Sequence, residues 1–255
     1  MILSRRPSFL GLAAALLLTA CAAPMAGTRA PDYTAALADP ARPAADRERD
    51  GARKTAELLA FADIRPGQTV GDYVMGGGYL TRVLAGAVGS GGKVYAFQPA
   101  EFIAYRAQYG DDMRSVDAAY ANVVAVSSPF AAPAFPEPLD RIVTVQNFHD
   151  LYLAPFPAGT GTRASAALFA ALKPGGMLVV VDHAATAGTG TTDSDRLHRI
   201  DVDAVKSTLT AAGFVLDGES AMLRQADDPR SASVFDPAIR GRTDQFVLRF
   251  RKPAS

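Results

Sequence analysis

Short apolar segments alternate with stretches long enough for crossover helices, and this alternation constrains the fold of the chain more than any other feature. Runs rich in Val, Ile and Leu are typical of strands that are buried on both faces of a parallel sheet. Five such strands are predicted, at 69–73, 93–97, 123–126, 141–145 and 177–182, and two closing strands follow at 214–219 and 245–251. The sequence therefore predicts an α/β fold with seven strands.

Helical periodicity fills the spaces between these strands. Leu80, Val83, Leu84 and Ala87 fall on one face of a helix after the first strand. Another predicted helix ends before Pro174, just ahead of the fifth strand, and a further one covers 201–212. This order of elements favours a mostly parallel sheet with helices on both faces.

Length and charge narrow the class of partner. The chain has 255 residues, which suits one large domain after a leader. Lys and Arg together number 26, as do Asp and Glu, and no basic run follows Arg6. We therefore expect a small-molecule partner and no nucleic acid. Cys21 is the only cysteine, so no disulfide is expected.

The N-terminus has the features of an export signal. Arg5 and Arg6 precede an apolar stretch over 9–18, and Leu18-Thr19-Ala20 leads to Cys21. This pattern resembles a bacterial lipoprotein signal, which implies cleavage before Cys21 and acyl chains on that residue. We predict a signal peptide over 1–20, a lipidated Cys21 with an Ala- and Pro-rich tether over 21–45, and a domain over 46–255.

We therefore predict that the protein lies in the cell envelope of a bacterium, anchored to a membrane through Cys21 and facing the periplasm. The alternative is an ordinary secretory leader that contains a cysteine.

A glycine-rich loop joins the first predicted strand to its helix. Asp72 lies at the strand end, and Gly76, Gly77 and Gly78 follow it. Residues without a Cβ let the backbone turn sharply while a bulky ligand lies against it, and the positive end of the next helix attracts anions. The loop is therefore a candidate cofactor site, although a glycine run alone also occurs in ordinary tight turns.

Several motifs together resemble the class I S-adenosylmethionine-dependent methyltransferases. They are Ile64-Arg65-Pro66-Gly67-Gln68-Thr69-Val70, Asp72 with Gly76-Gly77-Gly78, and Leu172-Lys173-Pro174-Gly175-Gly176. The chain is more closely similar to a family of bacterial predicted methyltransferases, over nearly all of 42–253. The resemblance implies a Rossmann-like fold with a seven-stranded, mostly parallel sheet and an antiparallel last strand. It also implies S-adenosylmethionine as cofactor, contacted by Asp72, Gly76, Gly77, Gly78, Gln98 and Ser128.

Two positions depart from the pattern of that superfamily. Val74 stands where the first loop glycine is usual, so we expect a loop of different shape. Gln98 ends the second strand, where an acidic residue usually accepts hydrogen bonds from the ribose hydroxyls. A carboxamide oxygen can accept one such bond, but it lacks the charge that strengthens it.

The segment after the fourth strand holds the candidate catalytic residues Asn147, His149 and Asp150. Methyl transfer depends mainly on orientation, with a base only where the nucleophile carries a proton. His149 is a candidate base near neutral pH, and Asn147 could accept a hydrogen bond from the nucleophile or from the cofactor amine. The alternative is that His149 and Asp150 form a structural hydrogen-bonded pair.

A second interpretation concerns the three histidines. His149, His183 and His198 all follow predicted strands, and Asp150 and Asp182 accompany two of them. Such groups could bind a divalent metal, but no local metal motif is present, so no metal ligand is assigned. Since S-adenosylmethionine is made in the cytoplasm, export also favours an alternative function, a non-catalytic or metal-binding envelope lipoprotein on a methyltransferase scaffold.

Overall fold

The computed structural model describes residues 1–2 and 31–254. Residues from Pro31 onward form one compact unit. Apart from Met1 and Ile2, the predicted signal peptide lies outside the described residues, as do Cys21 and the tether as far as Ala30. Among the residues that are described, no helix combines the length and the apolar character needed to cross a membrane.

One seven-stranded sheet forms the centre of this unit, in the order β3-β2-β1-β4-β5-β7-β6. Strands β1 to β5 are parallel, and β7 runs antiparallel to both β5 and β6. The strands are β1 (Thr69–Tyr73), β2 (Lys93–Pro99), β3 (Val123–Ser128), β4 (Leu139–Val145), β5 (Leu172–His183), β6 (Val215–Ser220) and β7 (Gln245–Arg251). The predicted Rossmann-like α/β fold with an antiparallel last strand is confirmed.

Helices connect the strands. They are α1 (Thr34–Leu37), α2 (Ala44–Arg47), α3 (Thr55–Phe61), α4 (Tyr79–Val88), α5 (Ala100–Tyr105), α6 (Gln108–Ala119), a 3-10 helix (His149–Tyr152), α7 (Thr160–Ala171), α8 (Ser194–Leu197) and α9 (Val202–Ala211). The predicted apolar face of α4 is buried as expected. Helix α9 begins at an N-cap in which the Asp201 carboxylate accepts a hydrogen bond from the Asp203 N–H.

The hydrophobic core lies on the two faces of the sheet. Alternate side chains of one strand enter different clusters: Val179 and Val181 of β5 pack in one, Leu178 and Val180 in the other. This period of two is what a sheet covered on both sides requires. The prediction of burial on both faces is wrong for β3, where Val124 is exposed because β3 is an edge strand.

The boundary predicted between tether and domain is also wrong. Residues 33–45 pack against the domain instead of leaving it as a flexible linker. The Tyr33 hydroxyl donates to the Ile64 carbonyl at 2.9 Å. Arg42, whose side chain is fully buried, donates two hydrogen bonds to the Asp50 carboxylate. The Ala and Pro content of this stretch masked the few anchoring side chains that fix it.

The strand order reverses between β1 and β4, which are neighbours in the sheet. In open α/β sheets, ligands bind outside the carboxyl ends of the strands at such a switch point. Two non-glycine residues beyond these strand ends, Val74 after β1 and Gln146 after β4, have φ of 71° and 62°. Left-handed backbone of this kind is costly for a β-branched residue and is concentrated at functional sites.

Candidate functional site

The glycine loop, residues 74–78, turns the chain from β1 into α4. Val74 has a φ of 71°, in the left-handed region that favours glycine. A Cβ added to Gly76 would meet no atom within 4 Å, whereas one added to Gly78 would lie 2.5 Å from Val116 of α6. Gly76 therefore borders open space, and Gly78 is needed for packing.

Asp72 lies below this loop, where it is almost fully buried. Its Oδ2 accepts a hydrogen bond from the Thr81 hydroxyl at 2.6 Å. Burial raises the pKa of the Asp72 carboxyl to about 6, and hydrogen bonds from Thr81 oppose that rise. The predicted cofactor residue is thus committed first to holding the start of α4.

Gln98 ends β2 beside the loop, and its side chain is oriented by the loop backbone. The Oε1 atom accepts the Gly76 N–H at 3.0 Å, which fixes the amide orientation because two donors would otherwise face each other. Nε2 is buried and has no hydrogen-bond partner among the described residues. The polar atom of Gln98 that is left unpaired is therefore a donor, instead of the acceptor that the sequence suggested.

These features bear on whether an adenosyl group fits here. An orphaned buried donor is costly, and a ribose hydroxyl oxygen could accept from Gln98 Nε2. The open face of Gly76 lies next to it, so the loop suits an adenosyl ligand. Ser128, the third predicted contact, is used internally: its hydroxyl donates to the Ala132 carbonyl and accepts the Ala134 N–H.

Asn147 joins the glycine loop to the segment after β4. Its Nδ2 donates to the Val145 carbonyl at 2.7 Å and to the Val74 carbonyl at 3.3 Å. These bonds hold the two left-handed turns at the ends of β1 and β4 against each other. Asn147 is therefore a structural bridge, and it also lines a cavity described below.

His149 is held by Asp182 at the end of β5. The Asp182 carboxylate accepts the His149 backbone N–H at 2.7 Å, and its other oxygen lies 2.8 Å from the ring Nδ1. The opposite ring nitrogen, Nε2, lies 3.1 Å from Asp150 Oδ1 and 3.2 Å from His198 Nδ1. The structure thus brings His149 and its neighbour Asp150 together with Asp182 and His198, which lie 33 and 49 positions from His149 in the sequence.

The charge state of His149 follows from these neighbours. Burial by itself lowers the pKa of the His149 imidazole. The Asp182 and Asp150 carboxylates raise it by more than burial lowers it, so the pKa is about 10. The ring is then protonated near neutral pH and donates hydrogen bonds. The sequence predicted a base near neutral pH; it could not show that a second carboxylate, Asp182, lies against the ring.

Two cavities, of about 470 and 810 Å³, lie over this end of the sheet and are lined in common by Gln146, His183, Val234 and Phe235. We call them together the crevice. Asn147, His149, Asp150 and His198 line the larger cavity, along with Phe102, Tyr105 and Tyr109. None of Asp72, Gly76, Gly77, Gly78, Gln98 or Ser128 is among the described residues that line either cavity.

Among the residues that the structure describes, three arginines line the smaller cavity: Arg49, Arg53 and Arg240. Arg49 pairs with Asp46, but the described residues offer no ion pair or hydrogen bond to the guanidinium groups of Arg53 and Arg240. Burial lowers the pKa of Arg53, and the positive charge of Arg49 adds to that effect. Sequence reasoning missed this cluster, and the spacing of Arg49 and Arg53 on a polar segment was its only local signal.

The irregular segment between β6 and β7, residues 221–244, covers the crevice, and we call it the roof. Val234, Phe235, Arg240 and Thr243 of the roof line the smaller cavity. Arg199, fully buried, donates to both oxygens of Asp228 and to the Ala184 and Ala232 carbonyls. A buried guanidinium with this many partners holds the roof in place.

Several solved structures with a similar fold are methyltransferases. A SAM-dependent methyltransferase from Aquifex aeolicus is 19% identical, with a TM-score of 0.55 over 80% of this chain and 93% of that one. The glycopeptide N-methyltransferase MtfA, in complex with S-adenosyl-L-homocysteine, is 14% identical, with a TM-score of 0.53 over 78% and 87%. The fold is that of the SAM-dependent methyltransferases.

The methyltransferase fold does not fix the reaction. The [4+2]-cyclase SpnF is 17% identical to this chain, with a TM-score of 0.57 over 80% of this chain and 81% of that one. No protein-family model matches the sequence, and no curated protein matches it. The chemistry must therefore be argued from the residues of the site.

Proposed function

We propose that this protein transfers a methyl group from S-adenosylmethionine to a small molecule bound in the crevice. The observation that carries the proposal is the position of the crevice: it opens at the β1/β4 switch point, beside a glycine loop with an open face at Gly76 and an unpaired donor at Gln98. S-adenosylmethionine, when bound, supplies an activated methyl group. Asp72 would support the loop, and Gly76, Gly77 and Gln98 would hold the adenosyl part.

The chain's contribution to the reaction is orientation. Methyl transfer needs the acceptor atom in line with the methyl group, and misplacement by about 1 Å costs about 100-fold in rate. His149, which is fixed by Asp182, and Asp150 form the wall of the crevice that positions the acceptor. Asn147 keeps this wall of the crevice joined to the glycine loop.

We further propose that the acceptor carries a carboxylate or phosphate. Arg53 and Arg240 line the smaller cavity without an acidic partner among the described residues, and Arg53 is held over the Tyr79 ring at 4.7 Å. Arg53 is half-buried and forms no ion pair with the described residues, so a charge-assisted hydrogen bond from an anionic ligand would stabilise it. Phe102, Tyr105 and Tyr109 in the larger cavity suit an apolar or aromatic body.

The test is calorimetric titration of the full chain, purified in detergent, with S-adenosylmethionine and S-adenosylhomocysteine. We expect both to bind at one site per chain, and Asp72→Ala to abolish binding. Labelled methyl transfer to a panel of aromatic and aliphatic carboxylates and phosphates would then identify the acceptor. Absence of binding by either nucleoside would refute the proposal.

We also propose that the protein is anchored in the bacterial envelope through a lipidated Cys21 and faces the periplasm. The support is the sequence pattern before Cys21 alone. Mass spectrometry of the N-terminal peptide should show cleavage before Cys21 and acyl chains, and Cys21→Ser should move the protein out of the membrane fraction. A mature protein that begins elsewhere would contradict this part of the proposal.

The alternative function is a non-catalytic or metal-binding lipoprotein that retains the scaffold. One observation favours it. Hydrogen bonds within the protein already occupy the side chains of Asp72 and Ser128 and the Oε1 atom of Gln98, and none of these residues lines the crevice. Under this alternative, neither nucleoside binds while a ligand of the crevice does. The titration above separates the two functions.

A further inference from the structure

Three side-chain atoms that are able to bind a metal lie close together on the wall of the larger cavity. His149 Nε2, Asp150 Oδ1 and His198 Nδ1 all lie within 4.8 Å of one another. The separations are 3.1 Å from Nε2 to Oδ1, 3.2 Å between the two ring nitrogens, and 3.9 Å from His198 Nδ1 to Asp150 Oδ1. The mean of these separations is close to the ligand–ligand edge of a tetrahedral zinc site, about 3.3 Å for metal–ligand bonds of about 2.0–2.1 Å.

Hydrogen bonds alone satisfy this arrangement poorly. His149 Nδ1 is already bonded to Asp182, so the other ring nitrogen, Nε2, alone faces both Asp150 Oδ1 and His198 Nδ1. No hydrogen bond joins His198 to Asp150 at 3.9 Å. One cation placed between the three atoms would use a lone pair from each of them.

The surroundings orient the three groups as a metal site requires. Metal-bound histidines usually donate their second ring N–H to a carboxylate, and Asp182, which is fully buried, occupies that place behind His149. The Asp182 carboxylate is itself fixed by the backbone N–H groups of His149 and His183. His198 follows α8 in a left-handed conformation, with its ring against Phe235 at 4.8 Å between centroids.

We propose that His149, Asp150 and His198 bind one zinc-like divalent cation whose remaining coordination position opens into the crevice. Two imidazoles and one carboxylate suit Zn²⁺ and related first-row ions better than Mg²⁺ or Ca²⁺, which prefer oxygen ligands. Three protein ligands with one open position are typical of sites that bind a substrate or water. The inference does not rest on the proposed methyl transfer.

The experiment measures zinc binding to the full chain in detergent after treatment with a chelator. Titration with Zn²⁺ should show one ion per chain, with no comparable uptake of Mg²⁺. Co²⁺ in the same preparation should give the intense visible absorption of a tetrahedral site. His198→Gln and Asp150→Asn should weaken zinc binding more than Asp182→Asn, for which we expect a loss of about 10- to 100-fold.

His183→Gln is the matched control, because His183 lines the same cavity but is not one of the three ligands. It should bind zinc as the unaltered chain does. Melting curves verify that each variant is folded, and His198→Gln is the most tolerant of them because the His198 side chain is 28% exposed. Failure to take up zinc, or equal weakening by His183→Gln and His198→Gln, would overturn the assignment. Titration of the same preparation with S-adenosylmethionine tests the proposed function separately.

Discussion

The glycine loop and the crevice differ in how far their polar groups are already bonded. At and near the loop, Asp72 accepts a hydrogen bond from Thr81, Ser128 is bonded within its own turn, and only the Gln98 amide nitrogen has no partner among the described residues. In the crevice, the guanidinium groups of Arg53 and Arg240 form no ion pair or hydrogen bond with the described residues, and side-chain atoms of His149, Asp150 and His198 lie within 4.8 Å of one another. The loop thus resembles a known cofactor site in sequence, while the crevice holds the groups that still need a ligand.

Among the predictions that test this difference between loop and crevice, we expect the largest effect from His149→Ala. Loss of the ring removes the group that orients the acceptor, so methyl transfer should fall by about 100-fold or more. The affinity for S-adenosylmethionine should change little, because His149 does not touch the loop. Rates of labelled methyl transfer and calorimetry on the same preparation measure both. A parallel loss of cofactor affinity would show that loop and crevice are not separate.

The next effect concerns the pH dependence of stability. The pKa of Asp72 is raised from 3.8 to about 6 in the folded protein, so this group binds its proton more tightly when folded. The stabilisation from the protonated Asp72 carboxyl is complete below about pH 4 and is lost as the pH rises through about 6. The free energy of unfolding falls by about 3 kcal/mol over this range. Asp72→Asn, which cannot ionise but can still accept from Thr81, should therefore be more stable than the unaltered chain at pH 8.

Denaturant unfolding at pH 4 and pH 8 measures the difference. At pH 4 the two proteins should be nearly equal in stability. Asp227→Asn, at an exposed position of the roof, is the control and should show no such pH-dependent gain. Equal stability of Asp72→Asn and the unaltered chain at pH 8 would mean that the buried carboxyl has another source of compensation.

A smaller effect is expected from Arg53→Gln. The variant removes a charge-assisted hydrogen bond to the acceptor's anionic group, which is worth about 2 kcal/mol, or roughly 30-fold in KM. The affinity for S-adenosylmethionine should stay constant. Arg106→Gln, an exposed arginine that lines neither cavity, is the control. If Arg53→Gln weakened the binding of S-adenosylmethionine instead, Arg53 would contact the cofactor and not the acceptor.

The smallest effect is expected from Gln98→Leu. This change removes the bond to Gly76 and the free amide donor, so both nucleosides should bind about 1 kcal/mol more weakly, roughly fivefold. Gln108→Leu, on the outer surface of α6, should leave both affinities unchanged. Unaltered binding by Gln98→Leu would show that the free donor faces no ribose.

Sequence patterns predicted the architecture well, because strand and helix periodicity is a local property. Both β1 and β7 begin and end where predicted, at Thr69–Tyr73 and Gln245–Arg251. The edge position of β3 could not be predicted, since strand order is set by long-range pairing. The anchoring of Tyr33 and Arg42 was missed for the same reason: a few distant contacts fix a segment whose composition is that of a linker.

The candidate site was predicted in part. The segment after β4 was identified, and it does reach the crevice. The contact between His149 and Asp182 joins residues 33 positions apart, and this contact decides the charge of the ring. His198 was singled out only as a histidine after a strand, and its approach to His149 depends on a left-handed residue that no periodicity reveals.

The buried ion pair between Arg199 and Asp228 has a consequence for how ligands enter. Because the roof is tied down by side chains with no access to water, it does not have to fold over an arriving molecule. Little conformational entropy is then lost when a ligand binds, and the rate of binding should be limited by diffusion through an opening that already exists. The roof should therefore have the same conformation before and after ligand binding. Protease cleavage patterns of the free and the liganded chain should coincide.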